Sequence, residues 1–406
     1  MKLTKYNNYK NTNIHWLGDI PEHWEVKRIK DVSELRSGDN FTANEFEEDG
    51  IYSVYGGNGF RGKTNRFTNN GNYILIGRQG ALCGNINYVH GKFWATEHAV
   101  VVYISKKTNM KWYGEMLRVM NLNQYSLASA QPGLSVEKIK RLSFPTPPLS
   151  EQTAIANYLD QKTAQIDKKV DLLSQKIEKY KELKKSLINE TVCRGLDKNV
   201  KLKPSGIDWI GDIPEHWEVK RVKHFAFTIK GRNLDFFDTQ ITDSLPNLSL
   251  DYLRNDSVVH PIYVRSRDKA QLVSENDFII VWDGAGVGEI LKGKKGYLSS
   301  TIAKIKFNEK LINPLFFYFF RDGIDYTLKR NPSGMGIPHL NPTVFVNYPC
   351  PFPPLQEQTA IAQYLDEKTN KIDQITTNLN QQIVALKELR KTLINEVVTG
   401  KVRVID

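Results

Sequence analysis

PPLSEQTAIANYLD, residues 147–160, returns at 353–366 as PPLQEQTAIAQYLD. Only Ser150/Gln356 and Asn157/Gln363 differ, and equivalent residues such as Gln152 and Gln358 stand 206 positions apart. A second duplicate comes earlier in each half: HWLGDIPEHWEVKRIK (15–30) returns as DWIGDIPEHWEVKRVK (208–223), at an offset of 193. Repeats at fixed spacing define a tandem architecture before any single element does. The two offsets differ by 13, so the middle of the second half is 13 residues longer while its edges are closely copied. A weaker echo lies between the edges. NYILIGRQGALCGN (72–85) aligns with NDFIIVWDGAGVGE (276–289), and both read as a buried strand entering a Gly-rich turn. Two modules share a frame and differ in their contents, as two similar contacts with different specificities would require.

Proline ends each module's last strand and sets up a helix. Ser150 is the expected N-cap, with Glu151 in the first turn. Apolar residues then recur at three- and four-residue steps: Ile166, Val170, Leu173, Ile177, Tyr180, Leu183 and Leu187 in the first copy. The second copy gives Ile372, Thr376, Leu379, Ile383, Leu386, Leu389 and Leu393. Both are heptad seams long enough for a coiled coil, over helices of about 40 residues. If the repeats obey a pseudo-twofold axis, the helices are antiparallel, and the tail VVTGKVRVID lies beside KYNNYKNTNIHW in a nearly circular chain.

The modules read as mixed α/β. Strands are expected at 51–56, 72–78, 99–105, 277–283 and 301–307, and helices at 109–121 and 313–328. The loops are rich in Gly, Asn, Arg and Lys, notably 56–72, 129–135 and 329–341. Such side chains contact phosphates and read base edges in duplex DNA, and glycine admits close backbone approach. Loop position and chemistry single out Asn58, Arg61, Lys63, Arg66, Arg78, Gln79, Ser129 and Gln131 in the first module. In the second they single out Arg232, Asn233, Trp282, Asp283, Lys329, Arg330, Ser333 and His339. Arg78-Gln79 occupy the turn that Trp282-Asp283 occupy in the other copy.

Bulk properties agree. The net charge of +11 favours a polyanionic partner, nucleic acid first and an acidic membrane surface second. No apolar run spans a bilayer and the N-terminus lacks a signal-peptide core, so a cytoplasmic protein without a membrane role is expected. Three scattered cysteines, Cys83, Cys193 and Cys350, make neither a disulfide framework nor a zinc site.

Catalytic look-alikes fail on context. GNGFRGKT (57–64) fits a phosphate-loop pattern, but the Asn- and Gly-rich stretch after it is no helix. DGAGVG (283–288) resembles a dinucleotide loop, yet two more glycine breaks follow, and a tight strand turn is the better reading. The carboxylates of PEHWEVK crowd into one turn, so Trp24 and Trp217 read as structural anchors. No catalytic residue and no metal ligand set is expected.

The duplicated edges, the PPLxEQTAIAxYL helix starts, LINE near both helix ends and the Gly-rich modules resemble the specificity subunit of bacterial type I restriction–modification systems, over essentially the whole chain. The resemblance implies a fold of two α/β target-recognition domains joined by two long antiparallel helices. Domain boundaries are expected at 1–148, 149–196, 197–354 and 355–406, alternating recognition domain and spacer helix. Each domain would read half of a bipartite, asymmetric site in double-stranded DNA. The helices would set the gap and dock two modification (methyltransferase) subunits through Glu151, Gln152, Ile155, Tyr158 and Leu159 and through Glu357, Gln358, Ile361, Tyr364 and Leu365. The methyltransferases would bring S-adenosylmethionine for adenine methylation. Two restriction subunits would bring ATP and Mg, and this non-catalytic chain would bind none of these cofactors. The competing reading is a coiled-coil adaptor that binds DNA without sequence preference.

Overall fold

The computed structural model describes residues 4–14, 16–80, 82–126, 133–207, 209–255, 257, 259–265, 271–334 and 336–404. It falls into two compact units, Met1–Ser174 with Leu379–Asp406, and Gln175–Asn378. Each unit holds one module, the start of the long helix that follows it, and the end of the other long helix.

The first unit runs β1 (Tyr9–Asn11), β2 (Asp19–Pro21), β3 (Glu25–Arg28), α1 (Ile29–Val32), β4 (Ser33–Ser37), β5 (Tyr52–Gly56), β6 (Gly59–Thr64), β7 (Asn69–Gly77), β8 (Ile86–Ala95), β9 (Ala99–Ile104), α2 (Met110–Val119), α3 (Val136–Lys140), β10 (Ser143–Thr146) and the start of α4 (Leu149–Arg194). A six-stranded sheet has the order β4-β9-β7-β8-β5-β6. Alternation along its strands fills two cores. Ile74, Ile76, Val100 and Val102 pack with Trp112, Tyr113, Met116 and Leu117 of α2, while Leu75, Val89, Phe93 and Val101 cluster separately. The stretch GNGFRGKT forms a hairpin turn and strand β6, not a strand–loop–helix.

The second unit repeats the frame. It contains β11 (Leu202–Pro204), β12 (Asp212–Pro214), β13 (Glu218–Arg221), β14 (Ala226–Lys230), β15 (Ser244–Leu248), α5 (Leu250–Arg254), β16 (Tyr263–Arg265), β17 (Leu272–Val273), β18 (Phe278–Val281), β19 (Ile290–Lys292), β20 (Gly296–Leu298), β21 (Ile302–Phe307), α6 (Pro314–Arg330), α7 (Pro342–Asn347), β22 (Pro349–Phe352) and the start of α8 (Leu355–Val398). Its central order, β14-β21-β18-β19, matches β4-β9-β7-β8. The contents then diverge. In the first unit β5 and β6 extend the sheet past β8, whereas in the second β16-β15-β20-β17 form a separate sheet. That sheet has its own core of Leu248, Leu253, Val273 and Leu298.

The opening repeat is one side of a joint, and the other repeat is its second side. Glu151 accepts a hydrogen bond from Trp24 Nε1 at 3.1 Å, pairs with His23 Nε2 at 2.9 Å, and also bonds Tyr6. Glu357 takes Trp217 Nε1 at 3.1 Å and His216 Nε2 at 2.9 Å. The adjacent glutamines reach the other way. Gln152 Oε1 accepts from the Asn109 amide at 2.8 Å, and Asn109 in turn caps α2 through Lys111 and Trp112. Gln358 does the same with Asn313, which caps α6. Each copy therefore ties a module's first edge, its main helix and its spacer helix at one point.

Three expectations need correction. Ser150 is not the N-cap: the Pro148 carbonyl accepts the first helical bond, from Gln152, so the helix begins two residues earlier, at Leu149. Leu183 and Leu389 are not on the seams but 52% and 54% exposed. The strict alternation of fours and threes passes instead through Lys184 and Arg390, whose aliphatic stems fill the position while their charges reach Asp373 and Asp167 at 2.6 and 2.9 Å. Finally, seven of the ten residues expected to face a partner are buried inside their own units, and Tyr158, Glu357 and Tyr364 are half-buried.

The helices run to 46 and 44 residues, roughly 65–70 Å each. They are antiparallel inside each unit. In the first, Ile155 and Leu159 share a core with Val398 and Ile394, and Asp167 pairs with Arg390. The chain ends meet there as well: the Arg403 amide donates to the Thr4 carbonyl at 2.8 Å, and Gly400, at φ +75°, packs on Pro21 and Trp24.

Candidate nucleic-acid interface

In the first module the strand ends converge on the turn after β7. Gly80 and Gly84 have φ of +91° and +86°, and the Gly84 amide donates to the Gly77 carbonyl at 2.7 Å. A side chain on Gly77 would collide with the Gly57 carbonyl, so the Gly57-Asn58 turn lies directly against Arg78-Gln79. Arg78 Nη1 donates to Ser37 Oγ at 3.2 Å, which braces β7 to the end of β4. Gln79 bridges Gly133 through its backbone and leaves its side chain exposed. Asn58 and Arg61 are exposed on the same rim. Lys63 follows two residues further along β6, on the same face as Arg61. Arg66 does not join them. It lies past the far end of β6, ion-paired with Glu45 and stacked 4.9 Å over Trp94. The Thr42 backbone amide, helped by Arg66, holds the Glu45 carboxyl down at about 2, so Glu45 stays ionised at any ordinary pH. Ser129 and Gln131 lie outside the described residues.

The second module builds the same turn from other side chains. Gly284 and Gly288 sit at φ +96° and +83°, and the Gly288 amide donates to the Val281 carbonyl at 2.9 Å. DGAGVG is therefore a tight strand turn leading into β19, as its glycines suggested. Here Trp282 and Asp283 replace Arg78 and Gln79. Asp283 pairs with His339 Nδ1 at 2.6 Å and with Lys230 Nζ at 2.9 Å, and Lys230 also lies 5.4 Å over the Trp282 ring. Ser333 exchanges backbone bonds with His339 at 2.8 Å. The turn also touches the end of α6, where Gly288 packs on Leu328 and the Lys329 amide. Arg330 folds back over Tyr326 at 4.9 Å. Arg232 and Asn233 are exposed just beyond Lys230.

Sequence reasoning missed Ser37 and Lys230, which brace the two turns. A signal existed: LRSGDN (35–40) and TIKGRN (228–233) continue the 193-residue repeat. Their shared glycine is required. A Cβ on Gly38 would stand 2.3 Å from the Ala95 carbonyl oxygen, and one on Gly231 2.0 Å from that of Ser299.

Taken together, the fold and its two rims define a tandem-repeat protein with one frame and two differently furnished rims. The chain belongs to the type I restriction modification DNA specificity domain family, which matches residues 21–179 and again 214–385. It is 38% identical over 190 residues to the type I restriction enzyme EcoprrI specificity subunit of Escherichia coli, covering 46% of this chain and 45% of that one. It is 35% identical over 188 residues to the MjaVIII specificity subunit of Methanocaldococcus jannaschii, covering 46% and 43%. The match thus spans a little under half the length of these two relatives. The MjaIX specificity subunit of the same archaeon is 23% identical over 451 residues, covering 98% of this chain and 96% of that one. Two solved structures share the fold. One is a chain from work on complex assembly and conformational transition of the type I R-M system, with TM-score 0.71, 14% identity and coverage of 93% and 98%. The other is the HsdS subunit from Thermoanaerobacter tengcongensis, with TM-score 0.54, 15% identity and coverage of 94% and 98%. No helix among the described residues is long and apolar enough to cross a membrane.

Proposed function

We propose that this chain is the DNA-recognition subunit of a type I restriction–modification complex, each module reading one half of a bipartite, asymmetric duplex site. One observation carries the reading. The same Gly-rich turn, on the same sheet frame, bears Arg78, Gln79 and Ser37 in one copy and Trp282, Asp283, His339 and Lys230 in the other. A repeated frame with divergent polar rims is what two different half-sites demand, since base edges are told apart by donor and acceptor pattern. The net charge of +11 supplies the phosphate attraction that any such reader needs. The names of its relatives, specificity subunits of type I enzymes, support the same reading.

The helix pair sets the gap between half-sites and docks two modification subunits. Leu149 and Leu355, 45% and 38% exposed, stand at matched positions, as do the exposed Leu183 and Leu389. An apolar surface that recurs with the repeat suits a partner present twice. Those subunits bring S-adenosylmethionine and methylate adenine, two restriction subunits bring ATP and Mg, and this chain binds no cofactor and works in the cytoplasm.

The test is selection of bound duplexes from a randomised library by the intact chain with its modification partner, followed by sequencing. Two short blocks at a constant gap are expected. Salt-sensitive binding without enrichment would leave a basic scaffold and refute the reading.

A further inference from the structure

Asp283 sits at the centre of a small polar constellation at the rim of the second module. Its Oδ1 lies 2.6 Å from His339 Nδ1 and its Oδ2 accepts from Lys230 Nζ at 2.9 Å. Burial alone would raise its proton affinity, but the hydrogen bonds from His339 and Lys230 outweigh it and hold the carboxyl below the usual carboxylate range. An ionised carboxylate only accepts, so the proton in the 2.6 Å contact belongs to Nδ1. That leaves Nε2 as the free ring nitrogen. The His339 side chain is 48% exposed, and its Nε2 has no hydrogen bond to any described residue. The frame does not need this pair, because the equivalent backbone bridge of the first module joins Gln79 to Gly133.

We propose that His339 reads one base pair of the second module's half-site through Nε2, and that Asp283 is a positioning residue that fixes its tautomer. This inference rests on the DNA-recognition reading above. With Nδ1 protonated, a neutral ring offers an acceptor at Nε2. The matching major-groove groups are the exocyclic amines of adenine and cytosine. A doubly protonated ring is a donor only and matches guanine N7 and O6. The charged groups placed at the ring are Asp283, from the turn after β18, and Lys230, from the end of β14, which pairs with the same carboxylate. The loop 331–341 carries no other titratable side chain.

The experiment is the library selection with the intact chain and its modification partner, using native protein, Asp283→Asn and His339→Ala. Native protein should prefer adenine or cytosine at one position of one block, by on the order of 10-fold. Asp283→Asn admits either tautomer and should flatten the preference there, while His339→Ala should erase it. The other block, read by the first module, reports that each variant is folded and bound. Uniform loss of affinity with every base preference intact would reduce the pair to a structural brace and overturn the inference. Absence of any enriched block with native protein would overturn the recognition reading, and this inference with it.

Discussion

Replacing Gln152 by alanine removes two hydrogen bonds from inside the first joint. The Asn109 amide loses its acceptor at 2.8 Å and the Pro147 carbonyl its donor at 2.9 Å, both around a side chain that is only 1% exposed. A buried backbone group left unpaired costs about 1–2 kcal/mol, so the pair costs roughly 3 kcal/mol, or on the order of 10²-fold in an opening equilibrium. Gln358 makes one bond more, donating to Leu311 at 3.1 Å as well as to Pro353 at 2.8 Å. Gln358→Ala should therefore cost its unit about 1 kcal/mol beyond the Gln152→Ala cost to the other. Two units in one chain make a single melting temperature ambiguous. Hydrogen exchange read by mass spectrometry resolves them, with peptides around Asn109 and Asn313 as reporters. Each variant should accelerate exchange in its own unit and leave the other protected. Unchanged exchange around Asn109 in Gln152→Ala, or equal loosening of both units, would refute the joint.

Asp325 is pushed up to about 7, chiefly by burial, with partial relief from the Ile290 amide and from Arg321 and Lys329. Its Oδ1 is buried without a partner. A raised carboxyl favours folding below its unfolded value and loses that contribution as pH rises through 7, so Asp325→Asn should stabilise the second unit at ~pH 8 and hardly at all near ~pH 4. Roughly 4 kcal/mol is the ceiling, and urea unfolding of the two forms across pH checks it. On the seam, Lys184→Asp should destabilise the second unit by no more than ~1 kcal/mol, and adding Asp373→Lys should restore it, as measured by a double-mutant cycle. A circular permutant that links the ends through the Thr4–Arg403 contact and opens within 196–200 should fold and melt like the parent; an aggregated product would contradict the closed first unit.

Much of this architecture was legible because repetition turns one sequence into its own alignment. The frame strands at 72–78, 99–105, 277–283 and 301–307, both module helices and the antiparallel long helices all follow from copied edges and apolar periodicity. What stayed hidden was non-local. Nothing in PPLxEQTAIA says that its glutamate will meet a tryptophan more than a hundred residues away, so duplicated polar residues read as a partner surface when in fact they turn inward. Leu183 and Leu389 drew the seam one residue aside because leucine outranks lysine in any apolar pattern, although only Lys184 and Arg390 keep the heptad rhythm. On the rims, loop chemistry picked Arg78, Gln79, Asp283 and His339, which the structure gathers at turns, but also Arg66, which is committed to Glu45 and Trp94. Composition cannot separate a free arginine from a paired one.

The most direct measurement is the selected motif of an Arg78→Ala, Gln79→Ala double variant beside that of the native complex. If two modules read two half-sites independently, one block should lose its information while the other block and the gap stay as they were. Equal decay of both blocks, or of neither, would contradict the assignment of the first turn to one half of the site.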